Sequence, residues 1–179
     1  AGPAALEPLA SLTERLLRSD IRSRIATGLL SPVAEAGIVG VGTFTVSAGS
    51  FAALTALQDL VLYNNTLTGT IPDLAALSEL KNIWLSNNAL TGTIPELAAL
   101  TALQDLRLHY NLLTGKIPDL AKLTALQQLY LYNNALTGTV PDLTAQTVLE
   151  ELVLSNNALT GMIPDLAKLT ALRRLFLYS

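Results

Sequence analysis

Cysteine is absent from this sequence of 179 residues. The chain can therefore form neither a disulfide bond nor a thiolate metal site, and cysteine usage says nothing about its redox compartment. Histidine occurs once, at His109, and the sequence shows no pairing of a nucleophile with an orienting base. We therefore predict a non-enzymatic protein with no catalytic residue, no metal site and no cofactor.

Positive charge is scarce. Eleven Lys and Arg residues are outnumbered by fourteen Asp and Glu residues, which gives a net charge of −3 at pH 7. Because no basic field is present to attract a phosphate backbone, we expect no nucleic-acid partner. Residues 1–53 are neutral, so the remainder of the chain carries the whole net charge.

Long hydrophobic runs are also rare. The stretch between Glu35 and Asp59 carries no charge, but Gly, Ser and Thr interrupt it, unlike a membrane-spanning helix. Phe51-Ala52-Ala53-Leu54 is in register with Leu74-Ala75-Ala76-Leu77. A degenerate first repeat is therefore a better interpretation of this stretch than a membrane span.

The dominant feature is a repeat with a period of 23 residues. Copies follow one another without insertion or deletion, and they begin at Leu54, Leu77, Leu100, Leu123, Gln146 and Leu169. Such fixed-period similarity predicts a solenoid, in which each coil packs only on its neighbours. We divide the chain into residues 1–53, a helical cap plus the degenerate first repeat, and residues 54–179, with five full repeats and a truncated sixth.

The N-terminal segment is predicted to be a helix over residues 4–30. Ser11-Leu12-Thr13-Glu14 has the pattern of a capping box at a helix start. Apolar residues then recur at spacings near four, which gives the helix one apolar face: Leu12, Leu16, Leu17, Ile21 and Ile25. A helix here would cover the apolar end of the first coil.

Each repeat is predicted to contain one short strand. In Leu57-x-x-Leu60-x-Leu62-x-x-Asn65-x-Leu67, residues 60 and 62 alternate inward, while 59, 61 and 63 point outward. Stacked copies then form a parallel sheet. The asparagine that recurs from Asn65 is predicted to bridge backbone groups of adjacent coils. The following Leu-Thr-Gly-x-Ile-Pro run predicts turns, short extended segments or 3₁₀ turns on the back of each coil.

The full pattern, LxxLxLxxNxLTGxIP, resembles the plant-type leucine-rich repeat over residues 54–179. The resemblance implies an α/β repeat solenoid, a right-handed arc with a concave parallel β-sheet, a convex side of turns and 3₁₀ segments, and an N-terminal helical cap. Members of that family mostly bind partners, so the resemblance also implies a protein or peptide partner. Because the family is found in extracellular ectodomains, the resemblance further implies extracytoplasmic or organelle-lumenal residence. The period is shorter than is usual there, and the family's cysteine-paired caps are absent.

The residues that vary between copies are the candidate binding residues. Seven of the nine aromatic residues lie in or beside two outward columns of the predicted strand. Exposed Trp, Tyr and Arg dominate binding hot spots, although aromatic residues also suit a strand surface through cross-strand packing. Because they would form one contiguous patch, we predict a partner-binding site of Tyr63, Trp84, Arg107, His109, Tyr110, Tyr130, Tyr132 and Phe176.

The preceding outward column is mostly acidic or polar, and consists of Asp59, Asn82, Asp105, Gln128, Glu151 and Arg174. It would form one edge of the aromatic patch. Charged rims set the orientation of a partner more than its affinity. This edge predicts a partner with some basic character.

Two alternative functions are open at this point. Thr68-Gly69-Thr70 and its equivalents would stack into a threonine ladder that resembles the flat arrays of ice-binding solenoids, although turn chemistry also explains these threonines. The other alternative is an accessory subunit of a larger assembly. It is motivated by Leu175, Phe176 and Leu177, which finish a strand with no further coil, so that a partner would have to cover them.

Overall fold

The computed structural model describes residues 54–178. In this range the repeats form a solenoid of short parallel strands in two sets, one on the front of each coil and one on the back. The predicted cap helix over residues 4–30 and most of the degenerate first repeat lie outside the described residues.

The front of the solenoid is a six-stranded parallel sheet. Its strands, in spatial order, are β1 (Asp59–Val61), β3 (Asn82–Trp84), β5 (Asp105–Arg107), β7 (Gln128–Tyr130), β9 (Glu151–Val153) and β11 (Arg174–Phe176). Each strand pairs with the next so that equivalent repeat positions are opposite one another, as Leu60 is opposite Ile83. The predicted parallel sheet is therefore confirmed, in the predicted register.

The core follows from the alternation of side chains along each front strand. In β1, β3, β5, β7 and β9 the central residue is buried, as at Leu60 and Leu106, while the two residues that flank it face outward. In β11 the central residue, Leu175, is exposed. Leucines of the turns fill the same interior and make it continuous from coil to coil. Each fully buried leucine stabilises the fold by about 2 kcal/mol.

An asparagine after each of the strands β3, β5, β7 and β9 joins neighbouring coils. The side-chain amide of Asn111 donates hydrogen bonds to the carbonyl oxygens of Leu85 and Leu108, each at 3.0 Å. Its Oδ1 accepts the backbone N–H of Leu90 at 3.1 Å. The predicted bridging role is confirmed, since the same pattern recurs at Asn88, Asn134 and Asn157.

The back of the solenoid carries short strands rather than helices. They are β2 (Thr68–Thr70), β4 (Ala89–Thr91), β6 (Thr114–Gly115), β8 (Ala135–Gly138) and β10 (Ala158–Leu159). They form parallel ladders, and a bridge between Thr93 and Thr114 connects β4's coil to β6. The prediction of short extended segments is confirmed, while no 3₁₀ helix occurs in the described range.

The register of the back ladder differs from that of the front. Thr70 is opposite Thr91 rather than Thr93. Threonines of successive coils therefore stack with an offset of two residues, since Thr93 is likewise opposite Thr114. The hydroxyl of Thr91 donates to the carbonyl oxygen of Gly69 at 3.2 Å, and that of Thr114 donates to Gly92 at 3.3 Å. Thr91 and Thr114 thus join neighbouring coils, a structural role that does not require an ice surface.

The back ladder requires glycine for two reasons, its backbone conformation and the close approach of a neighbouring side chain, as Gly92 illustrates. Its φ of 75° favours glycine, and a Cβ at this position would lie 2.7 Å from Cγ2 of Thr70. We expect Gly92→Ala to lower the free energy of unfolding by about 2 kcal/mol, measured by urea denaturation. Adding Thr70→Ser removes the clashing methyl group and should recover only part of the loss. Full recovery would contradict the role of the backbone conformation.

Candidate functional site

The outward surface of the front sheet brings most of the predicted binding residues together. Trp84, Arg107 and Tyr130 are the last residues of β3, β5 and β7. The others follow β1, β5 and β7 in the turns, and they are Tyr63, His109, Tyr110 and Tyr132. Because the strands are in register, all seven residues lie on one side of four neighbouring strands.

These side chains form two groups of rings. Tyr63 and Trp84 have ring centroids 6.3 Å apart. In the second group the imidazole of His109 stacks on Tyr132, with centroids 4.5 Å apart and planes within 7°. Tyr110 and Tyr130 contact that histidine edge-on at 5.9 and 6.0 Å. Such offset and edge-on contacts are the favoured geometries of aromatic pairs.

Arg107 connects the two groups. The Cζ atom of its guanidinium lies 4.8 Å from the ring centroid of Trp84 and 5.2 Å from that of Tyr130. Both distances are within the range of cation–π interactions. We call this continuous surface the aromatic face, and define it as Tyr63, Trp84, Arg107, His109, Tyr110, Tyr130 and Tyr132.

Phe176 is the one predicted residue that the structure does not bring into this group. It lies in β11, and Val153 of β9 separates it from Tyr130. Val153 is buried, whereas Phe176 is exposed and contacts Tyr178 edge-on. The aromatic residues of the front sheet are therefore not one uniform column.

The predicted acidic edge is largely compensated within the chain. Nε of Arg107 donates to the two carboxylate oxygens of Asp105 at 2.9 and 3.0 Å, and Nη2 donates to Oε1 of Gln128 at 2.7 Å. The hydrogen bond to Asp105 raises the pKa of Arg107 above its usual value. Asp105 is itself buried, so its charge is not presented to a partner.

Glu151 is compensated in the same way on the next strands. It accepts a hydrogen bond from the hydroxyl of Tyr130 and another from Arg174 at 3.2 Å. Burial, and then the hydrogen bond to Glu151, raise the pKa of Tyr130 to about 12, so the phenol remains protonated. The carboxylates beside the second ring group therefore already have partners within the chain, which weakens the basis for expecting a basic partner.

His109 is held in its neutral form. Burial lowers the pKa of this imidazole below 6.5, and the nearby cation of Arg107 lowers it further. Its Nδ1 is covered and has no hydrogen-bond partner among residues 54–178. The stacked pair of His109 and Tyr132 is consequently an uncharged surface at neutral pH.

This arrangement predicts a pH dependence of stability that belongs to His109. The unfolded chain takes up a proton near pH 6.5, whereas the folded chain takes it up only at lower pH. The free energy of unfolding should therefore fall as the pH decreases below about 6.5. In His109→Gln this part of the decrease should be lost, as measured by urea denaturation from about pH 7.5 to 5. Identical pH profiles would contradict it.

Tyr110 occupies an unfavourable backbone conformation. Its φ is 54°, and the equivalent residue in every other described copy is asparagine, which tolerates this region: Asn64, Asn87, Asn133 and Asn156. The left-handed conformation costs a residue with a Cβ roughly 1–2 kcal/mol. The ring is nevertheless half exposed, at 51%. Strain kept at an exposed aromatic residue is typical of a functional position.

The cost of this conformation can be measured with two substitutions that both remove the ring. Tyr110→Asn and Tyr110→Ala lose the same aromatic contacts, but only asparagine suits a positive φ. We expect the asparagine variant to be more stable than the alanine variant by about 1 kcal/mol. Equal free energies of unfolding in urea would show that Tyr110 carries no backbone strain.

Other kinds of site find no support in the described range. Among residues 54–178, no three or more His, Asp or Glu side chains converge as metal ligands would. The same residues include no helix with the length and hydrophobicity of a membrane span.

Comparison with known proteins identifies related repeats. A profile described as leucine-rich repeats in two copies matches residues 101–145. A second profile, described as a leucine-rich repeat, matches residues 79–99 and 148–169. No curated protein matches the chain in sequence.

Solved structures similar to the chain include plant receptor ectodomains. The ectodomain of the receptor kinase GASSHO1/SCHENGEN3 from Arabidopsis thaliana, in complex with CASPARIAN STRIP INTEGRITY FACTOR 2, is 34% identical with a TM-score of 0.73, over 78% of this chain and 17% of that one. The Arabidopsis HAESA ectodomain, in complex with an IDA peptide hormone ligand, is 33% identical with a TM-score of 0.69, over 78% and 24%.

A shorter relative is covered over most of its length. Pollen Receptor Kinase 3 is 33% identical with a TM-score of 0.66, over 80% of this chain and 69% of that one. By contrast, the chain spans less than a quarter of the lengths of the GASSHO1/SCHENGEN3 and HAESA ectodomains.

Proposed function

Because the chain belongs to the leucine-rich repeat family, we propose that it is a non-enzymatic scaffold that binds a protein or peptide through the aromatic face. The observation that carries this proposal is that six rings and one arginine lie together on the outward side of four neighbouring strands. The buried side of those strands is built from leucine and isoleucine alone.

The aromatic face is not needed to build the scaffold. Stacking of coils depends on the buried leucines and on the asparagines that bridge the coils, which are constant from copy to copy. The aromatic side chains vary between copies and lie outside that interior. Rings kept on a solvent-facing sheet are therefore better explained by an interaction than by folding.

The residue types suit a binding hot spot. Trp, Tyr and Arg contribute large contact areas with little loss of side-chain freedom, and they account for most of the energy in many interfaces. Contacts between the rings pre-organise the face, since Arg107 is fixed between Trp84 and Tyr130 and His109 is stacked on Tyr132. A pre-organised surface loses less entropy when it binds.

The similar ectodomains support a peptide or protein as the partner. The HAESA structure contains a peptide hormone ligand, and the GASSHO1/SCHENGEN3 structure contains CASPARIAN STRIP INTEGRITY FACTOR 2. These partners belong to those receptors. For this chain they support only the broader class of partner.

The proposal is tested by selection from a random peptide library displayed on phage. The purified chain is immobilised, and selected peptides are synthesised and titrated against the wild type by calorimetry. We expect peptides whose affinity depends on the aromatic face, whereas Glu96→Ala, an exposed substitution away from the front sheet, leaves affinity unchanged. If no peptide depends on the aromatic residues, the proposed function is wrong.

A further inference from the structure

We infer that the ligand of the aromatic face is an uncharged, proline-rich segment in the polyproline II conformation that lies across the strands. This inference rests on the proposed function and names the class of segment that would be bound. Three properties of the face carry it, namely its paired charges, its spacing and its unused hydrogen-bonding groups.

The one charged residue of the aromatic face, Arg107, and the adjacent Glu151 already have partners. Arg107 is neutralised by Asp105, with the closest nitrogen and oxygen 2.8 Å apart. Glu151 is bound by Tyr130 and Arg174. A charged ligand would have to compete with these pairs. A carboxylate or ammonium group that did not displace one of them would be left without a partner. A segment without charge meets no such penalty.

The spacing of the rings matches the repeat of polyproline II. Adjacent strands lie ~4.8 Å apart, so every second strand is ~9.6 Å away. A polyproline II helix rises ~3.1 Å per residue and has three residues per turn, which gives a repeat of ~9.3 Å. A segment that runs perpendicular to the strands therefore presents every third residue to every second strand.

The aromatic residues follow this two-strand separation. Trp84 and Tyr130 occupy the same outward column in β3 and β7, with β5 between them. Tyr63 and His109 are likewise two strands apart in the next column, after β1 and β5. Since Arg107 contacts both Trp84 and Tyr130, these rings are at most ~10 Å apart, close to the two-strand spacing.

The chemistry of the two surfaces is complementary. A polyproline II segment makes no internal hydrogen bonds, so its carbonyl oxygens are free to accept. Nε1 of Trp84 is covered and has no acceptor within residues 54–178. A rotation of the indole that offers this N–H to a ligand carbonyl would gain a hydrogen bond and lose none. Proline rings would then pack on the flat aromatic faces, as in other modes of polyproline recognition.

The inference is tested with synthetic peptides of defined composition. The probe is a capped peptide of about twelve residues that repeats Pro-Leu-Pro, and the matched control replaces each proline with alanine. A second control adds an arginine at each end of the proline peptide. Affinities for the wild type are measured by calorimetry at about 50 and 500 mM NaCl.

We expect the proline peptide to bind at least tenfold tighter than the alanine peptide, with less than a twofold change between the two salt concentrations. The terminal arginines should not improve its affinity. Tyr130→Ala and Trp84→Ala should each weaken binding at least tenfold, and either variant alone suffices if the other fails to fold. Equal affinity for the alanine peptide, or a tenfold fall in salt, would overturn the inference.

The library selection separates this inference from the function on which it rests. Selected peptides that depend on Trp84 but lack prolines at intervals of three residues would overturn the polyproline II inference and leave the binding function intact. Failure to select any peptide that depends on the aromatic face would overturn both.

Discussion

Asn111→Ala is expected to lower the free energy of unfolding by about 3 kcal/mol. The substitution removes two donated hydrogen bonds and one accepted bond, and it leaves the carbonyl oxygens of Leu85 and Leu108 and the N–H of Leu90 without this partner. Asn111 is buried, so water cannot replace the amide. Urea denaturation followed by circular dichroism gives the measurement.

A neighbouring threonine provides the matched control. Thr114 also joins two coils, but it does so through one exposed hydrogen bond of 3.3 Å. Thr114→Ala should therefore change the free energy of unfolding by no more than about 0.5 kcal/mol. A loss below about 1 kcal/mol for Asn111→Ala would show that the asparagine does not hold the coils together.

Trp84→Ala is expected to weaken the binding of selected peptides about 30- to 100-fold, which corresponds to roughly 2–3 kcal/mol. Trp84 contacts both Tyr63 and Arg107, so its removal takes away the largest ring and the support of the arginine. Because the indole lies outside the leucine core, the free energy of unfolding should fall by no more than about 1 kcal/mol.

Tyr132→Ala tests the other end of the aromatic face. It removes the ring on which His109 stacks, and a loss of affinity of tenfold or more is expected. The matched control is Leu112→Ala, an exposed apolar residue beyond the turn, which should leave affinity unchanged. Equal losses in the Leu112 and Tyr132 variants would place the binding surface elsewhere.

The scaffold was predictable because the residues that determine it recur at a fixed interval along the sequence. The alternation around Leu60 and Leu62 and the recurring Asn65 each appear at one fixed interval, and a parallel sheet is the structure that satisfies all of them. The outward direction of Trp84 and Tyr130 followed from the same alternation. Periodicity thus indicated where each of these side chains lies.

Pairing between side chains was not predictable in the same way. The sequence placed Asp105 and Arg107 on the same side of one strand, but only the structure shows that the guanidinium also reaches Gln128 on the next strand. Glu151 is compensated across strands by Tyr130. Side-chain rotamers and contacts between strands determine how much negative charge this edge of the front sheet presents. The residue types in the outward column do not reveal either of them.

The back ladder shows a second limit. A constant period predicts that equivalent residues are opposite one another, as they are on the front, yet Thr70 is opposite Thr91. The fit of the Thr70 methyl group over Gly92 depends on this offset. The period of a repeat specifies the length of a coil, but the stagger of each coil depends on local packing.

The uniform step from one front strand to the next has a consequence for how such a chain changes over generations. Duplication of any 23-residue unit in the gene would insert one further strand whose bonds to both neighbours are those already used. Duplication of a unit that carries aromatic residues would lengthen the aromatic face by ~4.8 Å without redesign of the interior. Recombination alone could thereby adjust the length of the proposed binding surface.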